Sequence, residues 1–212
     1  MKPAASMYAA AMFVLLPVST IEAQQIKRNA YFGDLHVHTS WSFDAYIAGV
    51  QTNPKDAYRY AMGKEIPLAG GGTTKIDRPL DFMAVTDHAE FLGVIRHMGD
   101  PAHPISKHPL AKAITSGNLR AAQMAFLSLT AAAARGEASV DQSYLKDPDE
   151  LATIWTEMVA TADEFYRPGE FTTFAAFEWS SLNKFINLHR NVIFRDTKKV
   201  PRQPYSMLDS YK

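Results

Sequence analysis

The sequence predicts an α/β fold. Short strand-like runs recur at 29–37, 80–85, 171–181 and 188–194. Helical patterns lie between most of them, at 54–62, within an Ala-rich stretch at 111–138, and at 147–166. Polar, chemistry-bearing residues stand at the strand ends, which is where α/β proteins gather their sites. Strands separated by helices build a parallel sheet with right-handed crossovers, either an α/β barrel or a doubly wound sheet.

The elements follow in order. The first 25 residues, MKPAASMYAAAMFVLLPVSTIEAQQ, carry one early charge at Lys2, an apolar run and a polar exit after Ala23. This reads as a secretory signal peptide over 1–23, and it places the mature chain in the periplasm or outside the cell. Pro17 interrupts an apolar run already too short for a stable membrane span. Residues 29–37 read as a buried strand leading into a His-rich turn. PKDAYRYAM, 54–62, opens with Pro and reads as a helix. A Gly- and Pro-rich loop covers 63–79, and LDFMAV follows as a buried parallel strand. A helical insertion spans about 96–168; its last helix places Leu151, Ile154, Trp155, Met158, Val159 and Ala162 on one face. FTTFAAFEWSS and LHRNVIF are the third and fourth strands.

Composition narrows the chemistry. The chain has 212 residues, with 22 Lys plus Arg against 22 Asp plus Glu, so nothing in its net charge points to nucleic acid. It has no cysteine, so any metal site must use His, Asp and Glu.

YFGDLHVHTSWSFDA sets Asp34, His36 and His38 at every second position. In a strand such residues share a face, so one rigid element can hand two imidazoles to one metal ion. Asp44 follows in the turn, Asp87 and His88 leave the second strand, Glu178 leaves the third, and His189 begins the fourth. A buried polar network without metal is the competing reading of this cluster. His97, His103 and His108 fall in the insertion and receive no role. Trp41, Phe43 and Trp179 flank the cluster as candidate pocket walls, and Arg190 is a candidate anion contact.

GDLHVHTSWSFDA and AVTDHAE resemble the first two motifs of the PHP (polymerase and histidinol phosphatase) superfamily, and FAAFEWS with INLHRNVIF looks like the next two. Within it the chain is most similar to secreted bacterial proteins of unknown function (DUF-type). The resemblance implies a distorted (β/α)7 barrel interrupted by the helical insertion. It implies two or three divalent ions, zinc, manganese or iron, and a metal-bound hydroxide that hydrolyses a small-molecule phosphoester. His36 and His38 would bind the first ion, Glu178 would bridge the first and second, and His189 would bind the second. Asp44 and His88 would serve a third. Asp34 and Asp87 would orient imidazoles through their free N–H groups. The superfamily also carries a later His and an Asp-x-His pair, and no His follows His189 here. The expectation is therefore a partial barrel over 29–212, the N-terminal part of a longer protein. Two other readings stand beside it: an amidohydrolase-type metal hydrolase, and a truncated metal-binding protein without activity. The sequence does not set the oligomeric state.

Overall fold

A computed structural model describes residues 28–134, 147–183 and 186–210. The predicted leader at 1–23 and the end of the Ala-rich stretch lie outside the described residues. The chain divides into two units, Met1–Ala30 and Tyr31–Lys212, and every element described belongs to the second.

β1 (Gly33–Val37) leads into α1 (Phe43–Ile47) and α2 (Pro54–Ala61). A short hairpin of β2 (Ile66–Pro67) and β3 (Thr73–Thr74) precedes β4 (Phe82–Val85). Then come 3-10 turns at Ile95–Gly99 and Pro104–Lys107, α3 (Ala111–Ile114), α4 (Leu119–Ala134) and α5 (Pro148–Phe165). β5 (Thr172–Phe174), β6 (Ala176–Asn183), β7 (Ile186–Ile193) and α6 (Met207–Ser210) complete the order.

The parallel sheet runs β1-β4-β5. Parallel neighbours need crossovers, and α2 and α5 supply them. Both helices start on firm local signals. Asn53 and Asp56 form a reciprocal capping box at α2, and Asp147 accepts the N–H groups of Asp149 and Glu150 at α5. Pro occupies the first turn of each, where its missing N–H costs nothing. Gly33 is required by a close approach, because a Cβ there would lie 2.3 Å from the Phe82 side chain.

One core joins sheet and insertion. Met83 and Val85 of β4 share it with Ile95, Ile105, Ile114 and Leu129 from the insertion and with Ile154, Trp155, Met158 and Ala162 of α5. The predicted face of the last helix packs as its periodicity requires, with Leu151 and Val159 at the margin of the same core. The insertion is thus integral to the fold rather than a separate lobe.

Several expectations change. β1 is an exposed edge strand, not a buried one, because among the described residues only β4 flanks it in the sheet. The Ala-rich helix breaks at Thr115–Asn118: Gly117 takes φ 73°, and the Asn118 side chain accepts the Ala121 N–H to start a new helix. The third predicted strand divides at Ala175, so that β5 pairs with β4 while β6 turns to pair with β7. The β6–β7 pair is antiparallel, its strands only two residues apart in sequence, which departs from the predicted parallel sheet. Among the described residues no sheet closes into a barrel. β6 joins the exit of β4 through a single parallel bridge between His88 and Glu178.

Candidate metal centre

The ends of β1 and β4 are tied together before any site chemistry begins. Thr86 N–H donates to the Val37 carbonyl at 2.8 Å, and Val37 N–H donates to Thr86 Oγ1 at 3.0 Å. Asp87 is fully buried and takes both donors of Thr39: the N–H at 2.5 Å and the hydroxyl at 2.7 Å. Burial pushes the Asp87 carboxyl up to about 6 even though both Thr39 donors favour its charge. Ala89 N–H donates to the Glu178 carbonyl, and Glu178 N–H to the Asp87 carbonyl. Three chain segments are thereby fixed at one point.

Onto that frame the side chains converge. Glu178 is 2% exposed. Its Oε2 lies 2.9 Å from His36 Nε2 and 2.6 Å from His38 Nε2, and its Oε1 lies 2.5 Å from His189 Nδ1. The hairpin register explains the reach of His189. Ser180 faces His189 and Glu178 faces Asn191, so Glu178, Ser180 and His189 share one face of the two strands. Asp44 sits at the start of α1 with Oδ2 3.0 Å from His38 Nδ1 and 3.8 Å from His88 Nε2. Ser42 precedes α1 but does not cap it. Its hydroxyl instead donates to Asp44 at 2.6 Å and accepts the His88 N–H at 3.1 Å.

The charges follow from this crowding. Burial alone would raise the Glu178 carboxyl, but His88, His36 and His38 outweigh it and hold it below the usual carboxylate range. Asp44 behaves likewise: His38 and the Ser42 hydroxyl overcome burial and hold its carboxyl well below that range. Burial lowers His38, yet Asp44 and Glu178 together leave it raised.

Three groups can each hold a metal ion: His36–His38–Glu178, His38–Asp44–His88 and His88–Glu178–His189. Within each, one ligand atom per residue lies within 4.8 Å of the others. Imidazole nitrogen and carboxylate oxygen suit zinc, manganese and iron alike. Glu178 and His88 belong to two groups each, as does His38, so the donor set is a shared cluster and not three separate sites.

Six of the eight predicted residues thus meet: His36, His38, Asp44, His88, Glu178 and His189. Asp34 and Asp87 stand differently. Asp34 is exposed and its carboxylate accepts the backbone N–H of His36 at 3.0 Å, while Asp87 holds Thr39. Their bonds go to backbone and hydroxyl groups instead of imidazoles: Asp34 turns back on its own strand, and Asp87, from the end of β4, ties down Thr39 across the sheet. Arg190 donates to the His189 carbonyl and lies on the opposite strand face from Glu178, with Trp179 as its register partner. Trp41 packs in the core. Phe43 does reach the centre, stacked on His88 at 4.6 Å.

Sequence reasoning passed over Glu90 and Ser180. The Ser180 hydroxyl lies 3.0 Å from His88 Nδ1 and 3.1 Å from His189 Nδ1. Glu90 is buried with Oε2 3.5 Å from His88 Nδ1, and its Oε1 accepts the Met207 N–H. Ser180 engages the inner nitrogen of His88, with Glu90 Oε2 close by but without a hydrogen bond, and Nε2 is left toward Asp44 and Glu178, the usual way to orient a metal-binding imidazole. The turn that follows Glu90 is strained: Phe91 has φ 55° although it is not glycine. Period-two reading from Glu178 would have found Ser180; nothing local marks Glu90.

A family profile described as "Protein of unknown function (DUF3604)" matches residues 25–212. The chain belongs to the DUF3604 family. No curated protein and no solved structure matches it. In this DUF3604 chain the match spans every residue of the cluster and the helical insertion as well.

Proposed function

We propose that this DUF3604 chain is part of a PHP-type metal-dependent hydrolase acting on phosphoesters, exported by its leader to the periplasm or beyond the cell. The observation that carries the reading is the sharing of one buried carboxylate, Glu178, by imidazoles from three segments. Buried charge of this kind is expensive unless paired, and clustered imidazoles with shared carboxylates are what a multinuclear site requires.

His36, His38 and Glu178 would hold one ion, and His88, Glu178 and His189 a second, with Asp44 drawing His38 and His88 toward a third. Bound divalent ions supply Lewis acidity, bringing the pKa of water toward neutrality and offsetting phosphoryl charge. The protein's own residues set the conditions for this. Asp44 and Glu178 keep their negative charge through mildly acidic pH because the neighbouring imidazoles hold their carboxyls low. Ser180 holds His88 from behind, and Glu90 sets a carboxylate beside the same nitrogen. Asp87 fixes Thr39 and with it the turn that carries His38.

The test is a substrate screen on zinc- and manganese-loaded protein, with phosphomonoesters and phosphodiesters set against amides and lactones. Turnover of a phosphoester that disappears in His36→Ala is expected. Metal-dependent turnover of amides or lactones alone would replace this reading with the amidohydrolase one.

A further inference from the structure

A cavity of about 920 Å³ opens beside the cluster, bounded by Ser180 and His189 on one side and by α1 and α4 on the other. Small-molecule sites fall in the range of roughly 300–1,000 Å³ and are mostly apolar with a few converging polar groups. α4 presents Met124 and Leu127 to this space, and they are 61% and 58% exposed. Large apolar side chains left open on a helix beside a polar cluster mark a recognition surface. The wall is also continuous with the ligands: Phe43 stacks on His88 at 4.6 Å and on Phe126 at 4.1 Å, so one column of rings runs from the centre into the cavity.

We infer that this cavity holds the organic group of the substrate, and that the substrate is a phosphoester of an apolar alcohol of aryl size or larger. This deepens the phosphoesterase reading and rests on it. The phosphoryl group would lie on the ligand cluster and the apolar group against Phe43, Phe126, Met124 and Leu127. In the reaction, water oxygen bonds to phosphorus as the ester P–O bond breaks. One water proton stays with the phosphate product and the other leaves with the alcohol. The helical insertion then has a job: it supplies the specificity wall.

The test compares benzylphosphonate with methylphosphonate, neither of which can be hydrolysed at an ester bond, by titration calorimetry on the zinc-loaded chain. Benzylphosphonate is expected to bind at least tenfold tighter. The double variant Met124→Ser, Leu127→Ser should remove that advantage while leaving zinc content and methylphosphonate affinity unchanged. If the double variant loses zinc, Gln123→Trp, which fills the cavity from α4, must weaken benzylphosphonate alone. Equal affinity for the two phosphonates in the wild type overturns the inference and leaves the phosphoesterase reading standing. An advantage that survives the variants overturns it too. Binding of neither phosphonate overturns both.

Discussion

Glu178→Gln is the sharpest perturbation of the centre, because it changes one atom at the point where most contacts meet. The carboxylate satisfies His36 and His38 through Oε2 and His189 through Oε1. An amide keeps one acceptor oxygen and can serve only one of those sides. At least one charge-assisted hydrogen bond is lost, a contribution of about 1.5–3 kcal/mol. Metal-free stability should fall by about 2–3 kcal/mol, which for a domain of this size is a drop in Tm of roughly 4–12 °C. The effect on metal is larger. Groups that merely orient a ligand cost about 10–100-fold in affinity when removed, so a directly shared ligand should cost at least 100-fold. At a zinc concentration about one thousand times the wild-type Kd, zinc stabilises the wild type by about 4 kcal/mol. After a hundredfold weakening the same zinc gives about 1.4 kcal/mol or less. Urea denaturation with zinc and with a chelator reads both quantities. A Glu178→Gln protein that gains as much from zinc as the wild type would refute the assignment of Glu178 as a shared ligand.

Two further outcomes concern other parts of the molecule. Trp155→Ala should cost roughly 4 kcal/mol, because Trp155 is buried, packs against Phe177 beside Glu178, and donates its indole N–H to the Pro201 carbonyl at 2.9 Å; a loss under about 1 kcal/mol in urea would contradict this packing. His97 is pushed down to about 4 by burial, Arg96 and His103. Its neutral form is therefore favoured in the fold, so its stabilising effect is complete above its ordinary value of 6.5 and fades as pH falls from there toward 4. His97→Asn should show a flatter stability profile than the wild type across that window, and parallel profiles would count against the shift.

The legible part of the centre was the part written in strand periodicity. Asp34, His36 and His38 alternate, and two of those three side chains do meet Glu178. His88 and Glu178 were legible as polar exits from apolar runs, and their backbones do pair. What stayed hidden depends on turns and on distant contacts. The hairpin that carries His189 to Glu178 has no Asn-Gly or Asp-Gly signal between its strands, so it reads as two independent strands. Glu90 stands two residues beyond His88, outside any strand, so no period-two reading places its side chain beside that imidazole. α4 looked like an Ala-rich packing helix, whereas part of its apolar surface lines the cavity. The parallel arrangement of β1, β4 and β5 followed from the helices between them; the exposed edge of β1 did not, since edge position is a property of the whole sheet.

The central claim is that the two imidazoles His36, in β1, and His38, just beyond its end, serve a metal. Elemental mass spectrometry on the purified chain, beside a His36→Ala, His38→Ala variant, tests it most directly. Bound zinc, manganese or iron is expected in the wild type, and its loss in the variant. Equal metal content in the two proteins would contradict the claim.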